Sequence, residues 1–419
     1  MVAFLHSADW QIGKPYARIL DPDKRARLRQ VRLDAIGRIG SHIDAGTAFL
    51  LVAGDLFDSP TPRSSDVSAV CAAIGQLALP VLVIPGNHDH GAPGTVWHGA
   101  FFQEERDRRA PNLQVLLDRQ PLELEEAVIL PCPLLRRTDS QDPCGWLRRL
   151  DWSRLPAEKP RILLAHGATH DFAATDLDPQ LQPPARTTDP TTADTNTTDA
   201  DEENPAATGN RLRLEGEWLA QVDYIALGDW HGLKQVSAKA WYSGTPEPDR
   251  FPRALDYQAG QVLAVHSERG ALPQVQPLPT GALRWHPLRF HCGGDADLER
   301  LEQQLDRLLK GRVGHDLLLL ELSGSLSLEG QERLGRLMER LDAQLLRLKH
   351  RGTCATCPSA EELTALVRRP ADPLISRVAG RLLQQLEPTE AAPAVSPSSA
   401  TPGVETLQRA LVELRNEAG

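Results

Sequence analysis

The chain has 419 residues, which at about 100 to 200 residues per domain argues for two or three domains. Hydrophobic residues make up 41% and charged ones 24%, which excludes wholesale disorder and a fibrous repeat and predicts a sizeable core. The net charge of −10 does not exclude a nucleic-acid partner: from Asp171 to Asn210 nine acids face one base, so the rest of the chain carries only −2, and phosphate responds to local positive clusters rather than to the total.

In chain order, a short apolar segment ending at Phe4 and Leu5 stops at the polar turn His6-Ser7-Ala8-Asp9. Residues 24–44 follow with helical periodicity. Their Lys24, Arg25, Arg27, Arg29 and Arg32 read as a solvated helix face, with a phosphate-binding cluster as the alternative. Residues 49–52 run into Ala53-Gly54-Asp55, a helical pattern covers 63–77, and 81–84 run into Pro85-Gly86-Asn87-His88. Residues 162–165 end at His166-Gly167, and 224–227 end at Gly228-Asp229-Trp230-His231. Short apolar runs bounded by Gly or Pro read as buried strands, and helices between them give an alternating α/β plan. Ligands in open α/β sheets collect beyond the carboxyl ends of strands, where all these Asp, Asn and His residues fall.

Residues 173–210 are rich in Thr, Asp, Pro and Ala and are expected to be a disordered insertion, because they carry too little apolar surface to offset ordering entropy. After a break near 273–279, a strand (283–290), a helix (295–309), a strand (317–322) and a helix (329–346) predict a small α+β unit. Two more helical patterns, 374–386 and 404–416, flank a Pro/Ala/Ser-rich linker. The expected domains are 1–280, containing the insertion, then 281–352, then a linker and helical tail, 353–419.

No apolar run approaches the roughly 18 residues of a membrane helix, and the N-terminal residues lack a secretory pattern, so the expectation is a cytoplasmic protein without a membrane partner. Six cysteines without framework spacing suit a reducing compartment. The lone Cys354-x-x-Cys357 lacks a second ligand pair and reads as a surface turn rather than a zinc site.

Asp9-x-Gln11, Gly54-Asp55-x-x-Asp58, Gly86-Asn87-His88-Asp89, His166-Gly167 and Gly228-Asp229-x-His231 occur in this order at strand ends. Together they resemble the calcineurin-like metallophosphoesterase pattern D-x-H, G-D-x-x-D, G-N-H-D/E, H and G-H-x-H, over about the first 280 residues. The resemblance implies a sandwich of two mixed β-sheets flanked by helices. It also implies two divalent ions about 3.5 to 4 Å apart that hydrolyse a phosphodiester. Asp55 would bridge them, with Asp9, Gln11 and His231 on one ion and Asn87, His166 and Asp229 on the other. Oxygen and imidazole donors without thiolate favour manganese, with magnesium or iron as alternatives. His88 would assist the leaving oxygen, since imidazole exchanges a proton near neutral pH, and Asp58 would orient it or cap a helix. His6, His90 and His170 have no assigned role.

Gln11 and Asp229 replace the usual histidines, which leaves either a harder, more oxygen-rich centre favouring Mn²⁺ and Mg²⁺ over Zn²⁺ or a decayed one. The runs Asp9-Trp10-Gln11 and Gly228-Asp229-Trp230-His231 resemble a bacterial branch of SbcD-like DNA repair exonucleases, as does the segment from Trp241 through Tyr242, Ser243, Gly244 and Thr245 to Pro246, followed by Phe251. That branch implies DNA as substrate, a small α+β capping domain, a helical tail that docks on an SbcC-like coiled-coil ATPase, and it allows a homodimer. A phosphatase or phosphodiesterase for a small molecule or phosphoprotein, and a non-catalytic scaffold for the ATPase, are the competing readings. Trp10 and Trp230 either stack on an unpaired base or pack beneath the site.

Overall fold

The computed structural model describes residues 1–139, 141–169, 210–252, 257–357, 360–368, 373–386 and 410. Of the expectations above, the acidic insertion except Asn210, His170, and the 404–416 helix except residue 410 lie outside the described residues. The chain divides into two units, Met1–Trp285 and His286–Gly419.

In the first unit, β1 (Val2–Ser7), α1 (Pro22–Gly40), β2 (Thr47–Ala53), α2 (Ser64–Gly75), β3 (Val81–Ile84), α3 (Ala100–Arg109) and β4 (Leu113–Val115) alternate, and the four strands pair in parallel. A second sheet takes β5 (Leu122–Glu123), β6 (Val128–Cys132) and β7 (Arg161–His166); after the short pair β8 (Ala168–Thr169) and β9 (Arg211–Leu212) it gains β10 (Tyr224–Gly228), β11 (Lys234–Gln235) and β12 (Ala240–Tyr242). Strands β13 (Gln261–Ser267) and β14 (Gln274–Pro279) return to the first sheet and pair antiparallel beside β1. The orders are β14-β13-β1-β2-β3-β4 and β11-β12-β10-β7-β6-β5, two mixed sheets.

Period-2 alternation explains why the two sheets face each other. Ile129, Ile162, Leu164, Tyr224 and Ala226 share one core with Leu5, Leu51 and Val83 of the first sheet. Their neighbours Val128, Leu130, Leu163, Ile225 and Leu227 point the other way, onto Leu147 and Trp218. The result is the expected sandwich. Helix α1 packs Leu28, Val31, Ala35, Ile36 and Ile39 inward, the spacing of one helical face. It spans a different stretch from the predicted 24–44, because Asp21 caps it by accepting from the Asp23 and Lys24 amides. It stops at Gly40, and the Asp44 carboxylate then turns the chain by accepting from Gly46 N and Thr47 Oγ1.

The second unit contains β15 (Arg284–Cys292, which begins two residues before the unit), α4 (Ala296–Leu309), β16 (Asp316–Leu326), α5 (Leu328–Gln344), β17 (Arg347–Arg351) and β18 (Ala355–Thr356), in sheet order β15-β16-β17 with β18 beside β16. Leu298, Leu301, Leu305 and Leu309 of α4 and Leu334, Leu337 and Leu341 of α5 cover Leu318, Leu320 and Leu322 of β16 in one leucine-rich core. Helix α5 starts where Ser327 Oγ accepts from Gly330 N and ends at Gln344, short of the predicted 346, because Leu345 is extended. Helices α6 (Ala360–Val367) and α7 (Pro373–Leu386) follow. The Cys-x-x-Cys is not a surface turn: Cys354 is buried in the leucine core, Cys357 is exposed, and β18 lies between them. Among the described residues, no helix is long and apolar enough to cross a membrane.

Candidate metal centre

The carboxyl ends of β1, β2 and β3 deliver Asp9, Asp55 and Asn87; those of β7 and β10 deliver His166 and Asp229. Asp9, Gln11, Asp55 and Asp229 all sit at positive φ (55°, 42°, 55° and 102°), where the Cβ of an L residue crowds its own backbone. Such strain persists only when the surroundings hold it. Here Asp9 N donates to Gly54 O at 3.1 Å and Gln11 N to Asp55 O at 2.8 Å, so the turn after β1 is laced to the turn after β2. Gly86 allows the third turn to close in, since a Cβ there would collide with the Asp55 carboxylate and amide.

His166 stands at the middle. Its Nδ1 lies 2.8 Å from Ala53 O and donates to it, which directs the Nε2 lone pair into the cluster. Around Nε2 lie Asn87 Oδ1 at 2.8 Å, Asp55 Oδ2 at 3.6 Å and Asp229 Oδ1 at 3.8 Å. Asp9 Oδ1 is 4.0 Å from His166 Nδ1 and accepts from Asp229 N at 3.1 Å. Burial raises the Asp9 carboxyl to about 8, with the Asp55 and Asp229 charges adding to the shift and His166 opposing it. Burial pushes His166 down, but Asp55, Asp9 and Asp229 outweigh it and raise the ring to about 9. The rise at His166 reflects the buried carboxylates around it, and the rise at Asp9 chiefly its own burial. With hard oxygens, one imidazole and mutual spacings of a first coordination sphere, the cluster fits a divalent cation. Asp9, Asp55 and His166 are the one group of three or more potential His, Cys, Asp or Glu ligands within 4.8 Å among the described residues.

Gln11 and His231 carry hydrogen bonds of their own. Gln11 Oε1 accepts from Lys14 Nζ at 2.8 Å, and Gln11 Nε2 faces His88 Nε2 at 3.1 Å. His231 Nδ1 lies 2.9 Å from Asp249 Oδ2 and 2.8 Å from Arg250 Nη2, and burial, helped by Arg250, lowers its pKa to about 3. Asp249 also binds Lys14 at 2.9 Å and Arg250 at 3.0 Å, and these cations hold its carboxyl well below the ordinary value despite burial.

His88 Nε2 is 3.9 Å from Asp55 Oδ2, at the rim of the cluster. Its Nδ1 bonds to the backbone carbonyl of Asp58 at 3.1 Å, while the Asp58 carboxylate stays 4.0 Å away. Asp58 therefore positions the ring chiefly through its main chain, and it does not cap α2, whose N-cap is Arg63. Trp10 is 1% exposed and donates to Ser7 Oγ, so it packs beneath the site. Trp230 is half-buried and meets Tyr257 edge to face.

Several residues have supporting roles that the sequence reading did not assign. Arg32, assigned there to a solvated face, is buried and donates to Trp10 O, Asp9 O, Glu247 O and Thr245 Oγ1. Asp89 accepts from Gly86 N and Phe57 N and is raised to about 7 by burial and by Asp55. Tyr242 donates to Gly167 O and accepts from Thr169 N, joining the ends of β12 and β7. The nearest sequence signal was the charged run Glu247-x-Asp249-Arg250 directly after Thr245-Pro246.

Residues 2–259 match the family model of the calcineurin-like phosphoesterases. No curated protein matches the chain. Among solved structures 45 chains match; one crystal structure aligns at 11% identity over 66% of this chain and 98% of its own, with a TM-score of 0.33.

Proposed function

The chain belongs to the calcineurin-like phosphoesterase family, and from that membership we propose that it is a metal-dependent nuclease of the SbcD type, hydrolysing phosphodiester bonds of DNA. Phosphoester hydrolysis itself follows from the family and from the buried Asp9–Asp55–His166 cluster, the single observation that carries the reading. A divalent ion, when bound, supplies Lewis acidity toward the phosphoryl oxygens and an activated water. Asp55, Asn87, His166 and Asp229 would hold one such ion, and Asp9, Gln11, Asp55 and His231 a second. The Ala53 carbonyl fixes the tautomer of His166, and the strained turns hold the carboxylates in place before the ion arrives. His88, at the rim, would donate a proton from Nε2 to the departing oxygen, the atom that the Gln11 amide now faces at 3.1 Å.

DNA as substrate is supported by the Trp241 to Pro246 segment with Phe251, and by the order of parts, a small α+β unit and helices after the hydrolase unit. Manganese is the favoured ion on donor chemistry. An SbcC-like coiled-coil ATPase is the proposed partner, met by α7, whose Leu374 is 71% exposed and Val378 36%.

Purified protein should be tested with and without Mn²⁺ on linear duplex, hairpin and single-stranded DNA and on a small aryl phosphodiester. Mn²⁺-dependent degradation of at least one DNA form is the expected result. Hydrolysis of the small diester with every DNA form left intact would assign the centre to a smaller phosphoester.

A further inference from the structure

The turn after β1 brings a lysine to the side of His88. Gly13 sits at φ 96°, and the Lys14 amide donates to Gln11 O at 3.2 Å, so the chain folds back on Gln11. Ile12 N donates to Leu56 O and Asp58 N to Ile12 O, each at 3.0 Å, which fixes this turn to the one after β2. Two neighbours that Lys14 shares with His88 then place its ammonium. Lys14 Nζ donates to Gln11 Oε1 at 2.8 Å, and the Nε2 of the same carboxamide lies 3.1 Å from His88 Nε2. Burial raises the Asp58 carboxyl and the Lys14 charge is the first of those opposing it, while the Asp58 carbonyl meets His88 Nδ1 at 3.1 Å.

An ammonium carries three N–H donors. Gln11 Oε1 takes one, and Asp249 Oδ2 takes a second at 2.9 Å. The third has no acceptor among the described residues, and the side chain keeps 12% of its surface open to solvent. Because two acceptors already fix the ammonium, a third contact orders little more. The carboxylates of Asp249 and Asp58 beside it weaken its long-range attraction, so what it offers is a short, directed hydrogen bond of the kind that a phosphate oxygen accepts.

We propose that the third N–H of Lys14 binds the substrate phosphate next to the one being cleaved. The inference rests on the hydrolase reading above and narrows its substrate to chains with at least two successive phosphates, as in DNA, over isolated phosphodiesters. The scissile phosphate has its leaving oxygen at His88 Nε2, and the Lys14 donor is displaced from that atom by a carboxamide and the two hydrogen bonds at its ends.

The test is the affinity of the full chain, in saturating Mn²⁺, for thymidine 3′,5′-bisphosphate against thymidine 5′-phosphate and thymidine 3′-phosphate, by calorimetry. The bisphosphate should bind about tenfold more tightly than the better monophosphate, the lower worth of a hydrogen bond to a charged group. Lys14→Met should lose that gain, and Lys14→Arg, which keeps a charged donor, should retain it. An equal gain in Lys14→Met, or no gain in wild type, would overturn the proposal. If circular dichroism shows Lys14→Met misfolded, acetylation of the wild-type amines, read by mass spectrometry, decides instead. The bisphosphate should protect Lys14 where the monophosphates do not, and equal acetylation with all three would overturn the proposal. Cleavage of a small phosphodiester by the same wild-type sample separates the two readings: cleavage without the bisphosphate gain sinks this inference alone, and the gain through Lys14 without cleavage of any phosphoester sinks the hydrolase reading alone.

Discussion

His88 contacts the centre in two ways that a mutation can separate. Its backbone N–H donates to Asp55 Oδ1 at 2.9 Å and survives any side-chain change except proline, whereas its ring reaches the rim of the cluster. His88→Ala should thus keep Mn²⁺ affinity by calorimetry while lowering turnover about 10²- to 10⁴-fold, the usual worth of a positioned proton-transfer group. Asp58→Asn should cost under about tenfold, because the ring is bonded to the Asp58 carbonyl. A large loss with Asp58→Asn would return the orienting role to its carboxylate. The buried ionisable groups also predict a pH dependence for the metal-free protein. His166 is raised from 6.5 to about 9 and Asp9 from 3.8 to about 8, so the folded chain holds protons the unfolded chain has released between pH 6.5 and 9 at His166 and between pH 3.8 and 8 at Asp9. The stability they contribute is complete below the unfolded values and is lost as pH rises through the folded ones. In chelator, stability from urea unfolding should fall with rising pH by about 1.4 kcal/mol per pH unit for each group within its own window, 3.8 to 8 for Asp9 and 6.5 to 9 for His166. Saturating Mn²⁺ should remove that decline, since the ion replaces the protons and stabilises by mass action.

At the scale of elements, the turn after β1 is held from behind by a helix. Arg32 reaches from α1 to Asp9 O at 3.2 Å and Trp10 O at 2.6 Å, two carbonyls of the turn after β1, and to Glu247 O and Thr245 Oγ1, each at 3.0 Å, in the segment after β12. One side chain thereby ties α1, the β1 turn and the segment after β12. Arg32→Met keeps the bulk and strips every donor, so it should destabilise by about 3 to 5 kcal/mol in urea unfolding and weaken Mn²⁺ binding, although Arg32 touches no proposed ligand side chain. Unchanged metal affinity in a folded Arg32→Met protein would mean that the turn holds its shape without the helix. The sequence placed Arg32 on a solvated face because four other basic residues surround it. Helical spacing puts it one position from Val31 and four from Ile36, on the side that α1 buries.

At the scale of the molecule, the proposed function puts hydrolysis in the first unit and docking of a partner in the second. Removing residues 373–419, which begin with α7, should leave Mn²⁺-dependent hydrolysis of a small diester intact and abolish association with a coiled-coil ATPase in co-purification; retained association would move the docking surface elsewhere. The sequence by itself determined the five strands that carry the site and the chemical types at their ends, because a buried strand needs a continuous or alternating apolar run and a metal needs Asp, Asn and His where that run stops; the sandwich entered through the family resemblance that those types carry. The sequence also marked the leucine-rich faces of α4 and α5, whose periodicity is local. Only the tertiary structure decided which of those donors face a common point. Lys14 meets Asp249 across 235 positions of chain, Arg32 meets Glu247 across 215, and His166 meets Asn87 across 79. Whether Gln11 serves an ion or a lysine depends on those encounters, since an amide bonds to whatever charge the fold brings within 3 Å, and no local pattern records what arrives from the far end of the chain.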